Sequence, residues 1–169
     1  MSQNPTRRTF LRTAPIAAAA AGLALAEPRL VAAEGATPEK FQVFTAQALA
    51  DDAKGVMAKP GNNLLVQLPA FSMVMTTEVA HSAKEFEWHE ERDHIIQILD
   101  GTTVYELGGT PLNGRVTKPG EHMAPDSKEP TKLTLRKGDM LTIPRGILHR
   151  RSTEKSVTFI LISPQGLLK

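Results

Sequence analysis

Apolar residues recur along this chain in short bursts separated by polar punctuation, and never with the sustained period of a long helix. Residues 63–69 and 71–79 read as strands, and in the second Phe71, Met73, Met75 and Val79 share one face at period two. Residues 86–90 form a further short strand. The Ile-rich segment 94–99 meets Asp100-Gly101, a strong hairpin signal, and continues into a strand over 102–107. Residues 133–136, the Lys137-Gly138-Asp139 turn and residues 140–143 make another pair, which Pro144 ends. Residues 157–163 are apolar on both faces, which predicts a strand inside a sheet. Ahead of all these, residues 39–54 read as a strand followed by a short helix. Between Gly109 and Lys132 a polar stretch with Pro111, Pro119, Pro125 and Pro130 has no apolar period and reads as one long loop. Close spacing of many short strands predicts an all-β fold, an antiparallel sandwich or barrel, over residues 36–169.

The first residues follow a different logic. Asn4-Pro-Thr-Arg7-Arg8-Thr-Phe10-Leu11-Arg12 precedes a short Ala-rich apolar run ending Ala24-Leu25-Ala26. A basic start, an apolar middle and an A-x-A end make residues 1–26 a secretory signal peptide, with cleavage after Ala26 or as late as Ala33. The paired arginines followed by Thr-Phe-Leu-Arg resemble the twin-arginine signal, which exports folded proteins. The expected location is therefore the periplasm or beyond, and the export machinery is an expected partner. The apolar run is too short and Ala-rich to serve as a stable membrane anchor. Folding before export also lets the cytoplasm choose an ion that copper or zinc would outcompete outside.

Charge changes meaning once this segment is set aside. Of the 20 Lys+Arg, three lie in residues 1–26, leaving 17 against 18 Asp+Glu and a net of −1 in the body. A body without a dominant sign has no electrostatic footprint for nucleic acid. The 169 residues include no Cys, which excludes disulfide scaffolds, cysteine zinc sites, iron–sulfur clusters and a Cys nucleophile.

Two segments carry chemistry. In the first, strand alternation puts Glu87 and His89 on one face about 7 Å apart. A short excursion through residues 90–93 then lets His94 open the next strand facing the same interior. In the second, a strand ends at the Pro144-Arg145-Gly146 turn, which swings His149 back toward the same axis. Three imidazoles and a carboxylate suit Fe, Mn, Ni, Zn or Cu and exclude the all-oxygen sites of Ca and Mg. His89-Glu90 does not open an H-E-x-x-H protease helix, because the next His comes at i+5 and misses the helical face. No P-loop, dinucleotide fingerprint or nucleophile elbow is present.

These residues resemble the cupin superfamily, whose second motif reads G-x5-P-x-G-x2-H-x3-N. Gly138, Pro144, Gly146 and His149 match it at every spacing, with Thr153 where Asn is usual. The first motif, G-x5-H-x-H-x3–4-E-x6-G, is matched in spacing by Glu87, His89, His94 and Gly101. Glu87 stands where the first His is usual, His94 where Glu is, and His81 replaces the opening Gly. The resemblance implies a double-stranded β-helix (jelly-roll) barrel, often dimeric, with one divalent transition-metal ion inside its mouth. The implied ligands are Glu87, His89, His94 and His149. It further implies a metal-dependent enzyme on a small organic substrate, of dioxygenase, isomerase or lyase type, or alternatively a non-catalytic cupin that binds a metal or small molecule. Beside that centre, Glu85 is the nearest candidate acid or base, and Tyr105 and His122 are further candidates for the cavity. Arg145 is a candidate partner for an anionic substrate, and Trp88 is expected to face away from the ligands.

Overall fold

Two long antiparallel strands organise the protein, β4 (His94–Leu107) and β11 (His149–Pro164). A computed structural model describes residues 41–81 and 84–166; the signal segment and both cleavage positions lie outside the described residues. Around the long pair, β1 (Gly61–Gln67) and β2 (Phe71–His81) extend one sheet, with β2 on the C-terminal half of β11 and β10 (Met140–Ile143) on the first half of β4. The other half of each strand reverses these roles. There β9 (Thr131–Arg136) takes the edge of β4, and β3 (Phe86–His89) pairs with β11 at His149. Beyond β3 come β7 (Glu121–Ala124) and β6 (Arg115–Lys118). Two sheets therefore share the same two strands, each of which crosses from one sheet to the other. Between the sheets lie Ile96, Ile98, Tyr105, Leu135, Ile143, Val157 and Phe159, all buried.

The crossing point explains why the Asp100-Gly101 signal does not make a hairpin. The chain runs straight through it as one strand, with Gly101 at φ +79°. The ladder to β11 slips between Ile98 and Asp100, and four β11 residues, 153–156, stand opposite only two on β4. A positive φ is required here, as the dipeptide suggests, but a bulge that bends the strand supplies it in place of a turn.

The Pro-rich stretch is the second correction. Residues 109–132 are not a loop: β5 (Thr110–Leu112), β6, β7 and β8 (Asp126–Lys128) lie within them. Each strand has three or four residues, and β6 is exposed throughout, so no apolar period accumulates to announce them. The third correction concerns the N-terminal end of the domain. Residues 41–45 form no strand, and α1 spans Ala46–Ala58, capped by the Thr45 hydroxyl, which accepts from the Ala48 amide at 3.2 Å. Pro60 follows its end. Ala53 and Val56 of α1 cover Met75 on the outside of the β1–β2 sheet. Among the described residues no helix is long and apolar enough to cross a membrane.

Candidate metal centre

His94 and His149 are the first residues of β4 and β11, and His89 is the last of β3. His149 pairs with Leu107, at the far end of β4 from His94. A straight strand of that length would hold the two histidines roughly 40 Å apart. The bend at Gly101 brings them together, with ring centres 5.2 Å apart. His89 completes a near-equilateral triangle, 5.0 Å from His94 and 5.4 Å from His149. One ring nitrogen from each lies within 4.8 Å of the others, and all three residues are buried.

The outward nitrogen of each ring is engaged. Nδ1 of His149 donates to the Ile147 carbonyl at 2.9 Å, so its Nε2 carries a lone pair. Nδ1 of His89 donates to Glu121 Oε2 at 2.7 Å, which likewise leaves Nε2 as an acceptor. Nδ1 of His94 meets the Ser163 hydroxyl at 3.0 Å. Arg92 Nη2 also donates to Glu121 at 2.9 Å and lies against the His89 ring, 2.9 Å from Nδ1 and 3.3 Å from Nε2.

Burial pushes all three imidazoles toward the neutral form, and neighbouring positive charge further disfavours the protonated form of each. His94 is pulled down to about 3, first by burial and then by His149 and His89. His89 is lowered by burial and Arg92, and His149 by burial. In metal-free protein these shifts have a definite sign. Folded imidazoles refuse protons that unfolded ones accept, so stability falls as pH drops below about 6.5 and continues falling toward the folded value. Each imidazole kept neutral costs about 1.4 kcal/mol per pH unit in that window. The urea midpoint of chelator-treated protein should be clearly lower at pH 5.5 than at 7.5; an equal or higher acidic midpoint would refute the burial argument.

Nε2 of His149 is buried and has no hydrogen-bond partner among the described residues. It faces Glu87 Oε1 at 3.6 Å. A neutral imidazole lone pair and a carboxylate oxygen repel unless a proton or cation lies between them, and burial disfavours the proton. The separation is also that of two donors about 2.1 Å from one ion. The residues present therefore fit a transition metal. Glu87 itself is half exposed at 51% and falls outside the group whose donors are all mutually within 4.8 Å. It approaches from the His149 side.

Other expected positions are resolved differently. Glu85 is clamped by Arg115 through two hydrogen bonds of 2.7 and 2.6 Å, which hold its carboxyl below the usual range. Arg145 closes a clasp on Asp93, donating from its amide at 2.8 Å and from Nη2 at 2.7 Å, so it does not face a ligand. His122 is not a free surface residue: it stacks on Trp88 with ring centres 4.8 Å apart and meets Glu90 at 2.7 Å. Trp88 packs with Phe86, Ala124 and Leu148, away from the triad as expected. Beside His149 opens a cavity of about 140 Å³, with Glu85, Glu87, Tyr105 and Arg151 in its wall. Arg151 is held there by Glu78 and donates to Tyr105 Oη at 2.9 Å.

Glu121 is the functional residue that sequence reading misses. Its register opposite His89 exists only because β7 pairs with β3, inside the stretch that reads as loop. Glu121→Ala should weaken metal affinity about 10- to 100-fold without lowering stoichiometry at saturation, since it orients a ligand and is not one. A metal titration checks this, and an unchanged dissociation constant would remove Glu121 from the site.

No family model matches the sequence, and no curated protein matches it. Solved structures do. The Bacillus halodurans protein BH2720 is similar at 13% identity over 78% of this chain and 86% of its own, with a TM-score of 0.55. A cupin superfamily protein from Desulfitobacterium hafniense is similar at 15% identity over 64% and 79%, TM-score 0.46. A cupin protein from Bacteroides fragilis is similar at 19% identity over 66% and 82%, TM-score 0.44. The chain shares the fold of BH2720. At 13% identity that likeness concerns the fold alone, and one fold hosts many chemistries.

Proposed function

We propose that this protein is an exported cupin that holds one divalent transition-metal ion (Fe, Mn, Zn, Ni or Cu) through His89, His94, His149 and Glu87. We further propose that it is a metal-dependent enzyme on a small organic substrate. The observation that carries the metal is the unpartnered, buried Nε2 of His149 facing the Glu87 carboxylate. When bound, such an ion supplies Lewis-acid polarisation of a substrate oxygen, or dioxygen activation if it is iron. Neutral imidazoles, orienting partners on Nδ1 and a buried setting are what this chain contributes. The adjoining cavity with Tyr105 in its wall favours catalysis over mere ion storage, because ligand space meets the ion's donors. Export by the twin-arginine route to the periplasm, from the motif at Arg7-Arg8, and assembly as a homodimer belong to the same reading.

Elemental analysis of protein purified from its native cells tests the first half: about one transition-metal ion per chain is expected, and a content near zero would end the reading. The second half is tested by incubating that protein in air with a panel of small organic acids and following each by mass spectrometry. Consumption of none of them, with the ion in place, would favour the non-catalytic binding module.

A further inference from the structure

Among the described residues, a phenol lining the cavity beside His149 has a hydrogen that none accepts. Tyr105 is 98% buried, given its 2% exposure, and its hydroxyl meets Arg151, which lines the same cavity as His149. A phenol has one O–H to donate and oxygen lone pairs that accept. Arg151 Nη1 donates to the Tyr105 oxygen at 2.9 Å, which uses an accepting lone pair and leaves the phenol's own hydrogen uncommitted. Among the described residues no acceptor takes it. Burial raises the phenol's pKa against the pull of Arg151, so the hydrogen is present at neutral pH. A buried donor without an acceptor costs free energy comparable to a lost hydrogen bond, and a ligand that supplies the acceptor recovers it.

The rest of the wall says what kind of acceptor. The carboxylate of Glu85 is engaged by Arg115, the guanidinium of Arg151 by Glu78 and Tyr105, and the carboxylate of Glu87 faces His149, where the proposed ion would neutralise it. Lys84 also lines the cavity and makes no ion pair among the described residues. An ammonium outside any close ion pair, though near Glu78, and an uncommitted O–H both favour an anionic oxygen. At about 140 Å³ the space is well below that of drug-sized pockets, so the ligand has only a few heavy atoms.

We infer that this cavity binds a small carboxylate, with Tyr105 donating its phenol hydrogen to a carboxylate oxygen and Lys84 balancing the charge. The inference rests on the metal reading above and narrows its substrate to a short-chain carboxylic acid. Tyr105 acts as a binding and orienting donor.

Acetate titration of the cobalt(II)-loaded full chain, followed by visible absorption and by calorimetry, tests it. Saturable binding is expected for the natural sequence. Tyr105→Phe should weaken it about tenfold, the loss of one hydrogen bond to a charged acceptor. Lys84→Met, at an exposed position, should weaken it about threefold, as loss of one partly solvated charge interaction. Cobalt stoichiometry should stay unchanged in both. No acetate binding to the natural sequence, or identical dissociation constants in both variants, would overturn the inference. Failure to take up cobalt would overturn the metal reading instead, and calorimetry with acetate alone then decides the carboxylate on its own.

Discussion

His149→Ala is expected to lower metal affinity by well over 100-fold, beyond what loss of an outer orienting partner costs. The ion then stays absent after dialysis, whereas His122→Ala retains it. The contrast follows from the two surroundings. His149 presents a buried lone pair that no protein group uses, while His122 is already committed to Glu90 and to the face of Trp88. Loss of the His149 imidazole should not unfold the metal-free protein. It removes the repulsion with Glu87 at 3.6 Å, and among the described residues the ring's only hydrogen-bonded partner is the Ile147 carbonyl. Metal content by elemental analysis, with far-UV circular dichroism to check folding, decides the matter. Equal losses in both variants would show that the triad is not the binding site.

Gly101→Ala is expected to produce a large loss of stability. An L-residue at φ +79° costs about 1–2 kcal/mol from backbone strain alone. A Cβ there would also stand 2.1 Å from the Ser156 carbonyl oxygen, which belongs to the backbone of β11 and cannot rotate aside. Moving that strand adds an overpacking cost of about 1–3 kcal/mol. Together these should lower the melting temperature by about 10 °C. Gly138→Ala is the matched control: it has φ +92° but open space around the added methyl, so only the strain remains. Thermal unfolding of the two variants should separate them clearly. Equal melting temperatures would mean that β4 and β11 adjust freely at the crossing.

Much of the site can be read from the sequence because its constraints are local. His89 follows Glu87 by two residues, which fixes their common face. The Pro144–Gly146 turn fixes where His149 emerges. What escapes is everything set by partners distant in sequence. Asp100-Gly101 announces a positive φ, but whether the chain then turns back or bends onward depends on β11, some fifty residues later. The same limit hides Glu121, Ser163 and Arg92, whose roles arise from pairing and proximity and leave no spacing of their own. Period fails too when strands have three or four residues, as between Gly109 and Lys132. Of the candidate ligands, Glu87 alone lies outside the tight group, in keeping with the other acidic residues that flank it at 85, 90 and 91.

The bent pair of strands has a mechanical consequence. His94 lies at one extremity of the β4–β11 ribbon and His149 at the other, so an ion shared between them works as a buckle on a folded strap. Loading would tie the two loose ends while leaving the fold of the strap untouched. Apo protein should therefore fray first at its buckle, and the ion's contribution to durability is concentrated where the chemistry is done.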